Sequence, residues 1–352
     1  MNGAEVIFAL PGGRLFSTPL AELSAADQVL LRSGGTAVPA TGAAIVDNFG
    51  RAWPREVRWG TASSCKVISE DPKARRYVYE SPGYRFHSDV RITDDALRNF
   101  SVMFETTRKY AQSVPLGLLG GGRQHNGKLD VLLFGTIDDY IRAGGLVGSS
   151  GCFIPKTGAV MVPIQSLGLV KGGTGYSRDV EGQNKVLVHE LVHQLTPSHY
   201  FAPGSIGWFS EGLAEYMSVT PYTWGYFRLD PHGDAVMKFV TSTGVDGKGG
   251  RRLGTRIRAP KLRDFFLMNY GNFSGANANR NYGIGLLITH YFLHMEGTGD
   301  GRRVTEFLRG LGRGAHGEAS LKPLLGGGTY EKLETEITAA WGRKGVEIQF
   351  GG

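Results

Sequence analysis

The chain has 352 residues, 41% of them hydrophobic, which is enough to bury a sizeable core in one large domain with a small one beside it. Its 39 basic and 32 acidic residues leave a net charge of +7 that is spread along the chain, a weak pointer to acidic substrates. The local clusters Lys248-Gly249-Gly250-Arg251-Arg252 and Arg302-Arg303 form no nucleic-acid motif and read as solvated loops, and the longest apolar stretch, residues 283–293, is too short to span a membrane.

In chain order, residues 5–10 and 15–20 read as strands around the turn Pro11-Gly12-Gly13, and residues 1–60 are expected to form a small β-module, SH3-like in form. A Gly/Pro/Ala-rich stretch at 34–42 and a polar one at 69–76 bracket a linker region. From Tyr84 the pattern becomes strand (84–90), helix (Thr93 as N-cap, running to about 112), buried strand (129–134) and short helix (137–143). Extended segments at 152–154 and 159–162 follow. The second of these, Gly158-Ala159-Val160-Met161-Val162-Pro163, reads as an edge strand able to pair with an extended peptide. After Glu211 the chain is mostly helical, ending at 330–341. A sheet-bearing N-terminal lobe followed by a helical C-terminal lobe is an α+β layout with a cleft between the lobes.

The segment that carries chemistry is His189-Glu190-Leu191-Val192-His193. Leu187, Leu191, Val192 and Leu195, with Val186, give a helix a buried back, and Pro197 stops the run. Residues four apart share a helical face, so His189 and His193 are placed to hold one ion from successive turns, with Glu190 beside it. Eighteen positions after His193, Trp208-Phe209-Ser210-Glu211-Gly212-Leu213-Ala214-Glu215-Tyr216 supplies Glu211 as a third ligand. Glu215, one turn further on, is placed to hydrogen-bond a ligating imidazole and fix its tautomer. Three protein ligands and an open position describe a catalytic zinc, which acidifies water to a pKa of about 7, with Glu190 as the base that takes the proton.

These two motifs resemble those of the gluzincin metallopeptidases, a superfamily that includes thermolysin-like and aminopeptidase N-like enzymes. The resemblance covers residues 75–345 in broad layout and is specific over 186–217. It implies a zincin-like catalytic domain, Zn2+ as cofactor, His189, His193 and Glu211 as ligands and Glu190 as general base. Tyr282-Gly283-Ile284-Gly285 is similar to the Y-x-K-G motif of the aminopeptidase N-like enzymes, with Ile284 in place of the lysine. That similarity assigns Tyr282 to the tetrahedral oxyanion. The Gly-x-Met-Glu-Asn segment that holds a substrate's free amine in those enzymes has no acidic counterpart at 158–163, so an N-terminus-reading exopeptidase is disfavoured.

The expected activity is therefore a zinc-dependent endopeptidase acting on a peptide or protein substrate. A zinc amidase on peptidoglycan or glycopeptide, and a metal-containing binding protein without turnover, are the alternatives. His199 and His232 are candidates for substrate or oxyanion contacts, each weighed against an ordinary structural role. His290 and His294 read as helix packing. Cys65 and Cys152 fit either one long-range disulfide in an exported protein or two buried thiols. The start of the chain lacks a signal-peptide profile, which is read as a secreted or periplasmic protein with the signal removed, a cytoplasmic start being the alternative.

Overall fold

The structure, a computed structural model, describes residues 5–9, 15–19, 48–59, 64–118, 124–155, 157–172, 175–178, 185–201, 207–230, 232–242 and 250–351. It is a mixed α+β molecule. Contacts divide the chain into two compact units, Met1–Asp47 and Asn48–Gly352. In the first, β1 (Glu5–Ala9) and β2 (Leu15–Pro19) pair antiparallel, with Glu5 opposite Pro19. Of the rest of the expected SH3-like module, residues 10–14 and 20–47 lie outside the described residues. Its expected end near residue 60 moves forward, because β3 (Glu56–Arg58) belongs to the second unit and buries Val57.

The second unit holds a seven-stranded sheet in the order β4 (Lys66–Asp71), β5 (Arg76–Glu80), β6 (Tyr84–Ser88), β8 (Lys128–Phe134), β10 (Ala159–Pro163) and β9 (Cys152–Ile154), with β7 (Gln124–His125) turned onto β8. β6, β8 and β10 run parallel, and such neighbours need crossovers. α1 (Asp94–Ser113) supplies the first and α2 (Ile137–Arg142) lies on the second. Thr93 caps α1 by accepting a hydrogen bond from the Ala96 N–H, and Asp94 and Asp95 suit the positive end of its dipole. Its buried side meets β6 through aromatic contacts, Phe86 lying 5.1 Å from Phe100 and 5.0 Å from Phe104 between ring centres.

The structure corrects the expected edge strand. β10 is flanked by β8 and β9, and all five of its residues are buried. A continuous apolar run suits a strand covered on both faces, and the three-residue β9 takes the edge instead. Cys65 and Cys152 are free thiols, and burial pushes Cys65 up to about 12.

Beyond the sheet come the hairpin β11 (Leu169–Gly172) and β12 (Gly175–Arg178), then α3 (Lys185–Leu195) and α4 (Gly207–Ser218). β13 (Tyr222–Thr223) and β14 (Tyr226–Arg228) join β3 in a small sheet, where Phe227 stands opposite Val57. α5 (His232–Thr241), β15 (Arg256–Ala259), α6 (Leu262–Phe266), α7 (Tyr270–Phe273), α8 (Ala278–His294), α9 (Arg302–Gly312), α10 (Gly317–Leu325) and α11 (Tyr330–Gly342) complete the helical half. The last strand, β16 (Glu347–Phe350), returns to pair parallel with β15. α3 lies against both β9 and β10 on one side and α4 on the other, and one continuous core joins sheet and helices.

Candidate metal centre

α3 buries Leu187, Val188, Leu191, Val192 and Leu195, a spacing that fixes its rotation and turns His189 and His193 the other way. Val186, expected in that buried back, is exposed, because it sits at the first turn where the helix leaves the core. The fully buried Gln194 locks the helix to the sheet by donating to the carbonyls of Asp130 and Gly158. Thr196 donates to the Val192 carbonyl, and Pro197 follows.

α4 is buried along its whole length, and Glu211 sits in its second turn. It runs so close to α8 that a Cβ on Gly212 would stand 2.4 Å from Thr289 Oγ1 and 2.5 Å from the Gly285 carbonyl oxygen. Only a residue without a side chain allows that approach.

Three side chains converge between α3 and α4. His189 Nε2 lies 3.0 Å from Glu211 Oε2, His193 Nε2 3.3 Å from the same oxygen, and the two Nε2 atoms are 3.1 Å apart. They are the one such cluster among the described residues. Donors bound at about 2.0–2.1 Å to a single tetrahedral ion stand about 3.3–3.4 Å apart, so the triangle fits one small cation with a fourth direction left over.

The tautomer of His189 agrees with that fit. Its Nδ1 lies 3.1 Å from Glu215 Oε1, a partner that only accepts, so Nδ1 carries the hydrogen and Nε2 presents a lone pair to the other two donors. Lone pairs and a carboxylate at such distances need a positive charge among them. Without a metal that charge falls on His189 itself: burial opposes it, but hydrogen bonds to Glu211 and Glu215 prevail and push its pKa up to about 10. Glu211 is likewise held far below the usual carboxylate range, its burial outweighed by the two imidazoles.

The surroundings form a closed circuit of contacts. Arg251 grips Glu215 with two nitrogens, at 3.0 and 2.9 Å, and its guanidinium carbon lies 4.9 Å from the centre of the Tyr282 ring. Tyr282 stacks on His189 with ring centres 6.2 Å apart, and its hydroxyl interacts with that of Tyr270. Tyr270 in turn donates a 3.0 Å bond to Oε1 of Glu211, the oxygen that faces away from the histidines. Burial first, then the charge of Glu211, raises the Tyr282 pKa, so its hydroxyl stays protonated.

Glu190 lies on the sheet side. Its Oε2 accepts a 2.8 Å hydrogen bond from the Phe153 N–H of edge strand β9, and a Cβ on Gly151 would sit 3.7 Å from its Cγ. Burial raises its pKa against the pull of both histidines. The loop 144–151 leading into β9 is tied down by Tyr140, whose hydroxyl lies 2.6 Å from Ser149 Oγ.

Two expected contacts are not brought to the centre. His232 is 3% exposed, with Nε2 donating to the Tyr216 carbonyl and Nδ1 lying 3.3 Å from His290 Nδ1, because α5 starts at His232 and packs onto α8. His199 turns towards Gly312 of α9, while Phe201, two residues on, has its ring 6.1 Å from that of His193. Tyr282 lies in the second turn of α8. Sequence reasoning missed Arg251, placed there in a solvated loop, as well as Tyr270 and the Phe153 N–H. None carries a signal in a single sequence, since Arg251 arrives on an irregular segment, Tyr270 from the first position of a four-residue helix and Phe153 through its backbone. Compared with known proteins, the chain matches no family model and no curated protein significantly.

Proposed function

We propose that this chain is a zinc-dependent endopeptidase with a zincin-like catalytic unit of the gluzincin kind. The observation that carries the reading is the triangle of His189, His193 and Glu211 with a half-buried carboxylate, Glu190, on the adjacent helical position. A site meant only to brace the fold would close its fourth position with another protein ligand and would have no use for such a base.

Zinc held there supplies Lewis acidity and makes water a usable nucleophile at neutral pH. The protein does the rest. Glu190, with Oε2 fixed by Phe153, takes a proton from the attacking water as its oxygen bonds to the scissile carbonyl carbon, then hands it to the amine nitrogen as the C–N bond breaks. Tyr282 donates to the carbonyl oxygen as that oxygen gains charge. Glu215 and Arg251 hold His189 in one tautomer and one orientation. Edge strand β9, which runs past Glu190, offers backbone groups with which an extended peptide can pair.

The test measures metal and turnover together. Purified protein is expected to hold about one zinc per chain and to cleave peptides in a chelator-sensitive way. Glu190→Gln is expected to retain the zinc while turnover falls roughly 100-fold or more. Protein that takes up no zinc on titration, or a Glu190→Gln variant as fast as the parent, would overturn the proposal.

A further inference from the structure

Tyr270 is held at the metal centre by the short element that carries it. α7 is four residues long, and Asn269 caps it by accepting a 2.9 Å hydrogen bond from the Asn272 N–H. Phe273, at its far end, is fully buried against the start of α4, where a Cβ on Gly207 would stand 3.0 Å from its Cγ. The Phe273 carbonyl accepts a bond from Nδ2 of Asn281 on α8. The short helix is thus wedged between the helix that carries Glu211 and the helix that carries Tyr282, whose ring centre lies 5.4 Å from that of Phe273. Tyr270 itself is 54% exposed, so its ring braces no core.

Its hydroxyl is committed to one contact. It donates at 3.0 Å to Oε1 of Glu211, and no other hydrogen bond reaches that oxygen among the described residues. Oε2 of the same carboxylate lies 3.0 and 3.3 Å from the two imidazole nitrogens. The two oxygens are therefore divided: Oε2 belongs to the triangle and Oε1 to Tyr270. An ionised carboxylate only accepts, so the single hydrogen of Tyr270 is spent on Glu211, and its oxygen is left to accept from the Tyr282 hydroxyl. A carboxylate can also turn both of its oxygens on one cation. Here that second bond would fill the direction left over by the three donors. Glu211 is buried, so solvent scarcely reaches an Oε1 deprived of its donor, and the ion would be the nearest positive charge to satisfy it.

We infer that Tyr270 is a positioning residue of the metal centre: by taking Oε1, it holds Glu211 to a single bond with the ion and keeps the fourth position open for water. The inference rests on the metal-dependent reading above and deepens it, since a hydrolytic ion needs that open position whichever bond it cleaves.

The experiment reads coordination in the full chain loaded with Co2+ in place of zinc, because the visible absorption of cobalt is strong in a four-coordinate site and weaker in a five-coordinate one. Tyr270→Phe keeps the ring and is expected to bind about one cobalt per chain, as the parent does, with a loss of visible intensity. Replacing Tyr270 by 4-aminophenylalanine, which returns an N–H donor at the same place, should restore the parental spectrum. Tyr282→Phe leaves the bond between Tyr270 and Glu211 in place and should match the parent. Full parental intensity in Tyr270→Phe would overturn the inference. So would intensity that stays low with 4-aminophenylalanine, or that falls equally in Tyr282→Phe, since packing around the tyrosine pair would then be the cause. A parent that takes up neither zinc nor cobalt would remove the metal-dependent reading itself, and this role with it.

Discussion

Tyr282 is held from both faces, by His189 and by Arg251, with its hydroxyl kept protonated by burial and by the nearby Glu211 charge. If that hydroxyl donates to a developing oxyanion, Tyr282→Phe should lower turnover roughly 100- to 1000-fold while leaving substrate affinity and zinc content nearly unchanged. A packing role predicts a near-normal rate, so turnover and zinc content measured on one preparation separate the two. Arg251 is argued differently, since it touches no donor of the triangle and acts through Glu215. Arg251→Met is expected to weaken zinc binding roughly 10- to 100-fold in competition with a chromogenic chelator, with Arg251→Lys in between. A Met variant that holds zinc as tightly as the parent would show that Glu215 orients His189 unaided.

Among the elements, α3 has the rotation its apolar spacing dictates, and α4 reaches its depth through Gly212. The missing Cβ lets the α4 backbone approach Gly285 of α8, the helix that also carries Tyr282. Gly212→Ala forces a methyl against Thr289 Oγ1 and a backbone carbonyl, and the backbone cannot give way as a flexible side chain could. Overpacking of this kind costs about 1–3 kcal/mol, and the displaced helices carry both Glu211 and Tyr282. The expected result is a melting temperature lower by roughly 2–10 °C together with weaker zinc binding. A variant that melts with the parent and binds zinc equally would mean that α4 and α8 adjust without cost.

At the scale of the whole molecule, three histidines behind α4 set the response to acid. Burial lowers His232 to about 3 and His294 to about 4, and takes His290 well below its ordinary value. His294 Nε2 lies 2.7 Å from the Tyr216 hydroxyl and His232 Nε2 bonds the Tyr216 carbonyl, so all three serve the fold as neutral rings. A group whose folded pKa is depressed gives its full stabilisation above the unfolded value, near 6.5, and loses it as pH falls, because the unfolded chain then binds protons that the folded one refuses. In the metal-free protein His189, raised to about 10, and Glu190, also raised, act in the opposite sense, while His199, lowered by burial, acts with the three. The melting temperature of the chelated protein should therefore fall between pH 7 and pH 5. A flat or rising profile over that window would contradict the account.

The sequence by itself determined the local parts: the N-cap at Thr93, strands β6, β8, β9 and β10 to within a residue or two, the α3 helix, and the register that puts His189 and His193 on one face. Those follow from short-range periodicity and capping, which a single chain displays. The convergence of Glu211 was legible from its motif, and the placement of Glu215 against His189 from one further turn. Which strand stands at the sheet edge was decided only by strand order, because β9 and β10 read alike as short apolar runs and a parallel crossover hides which of them ends up outside. The burial of His232, the turn of His199 towards α9, and the arrival of Arg251 and Tyr270 at the metal centre belong to the same class. Each depends on where two elements far apart in sequence pack together, and that is fixed by the core as a whole and not by the residues on either side.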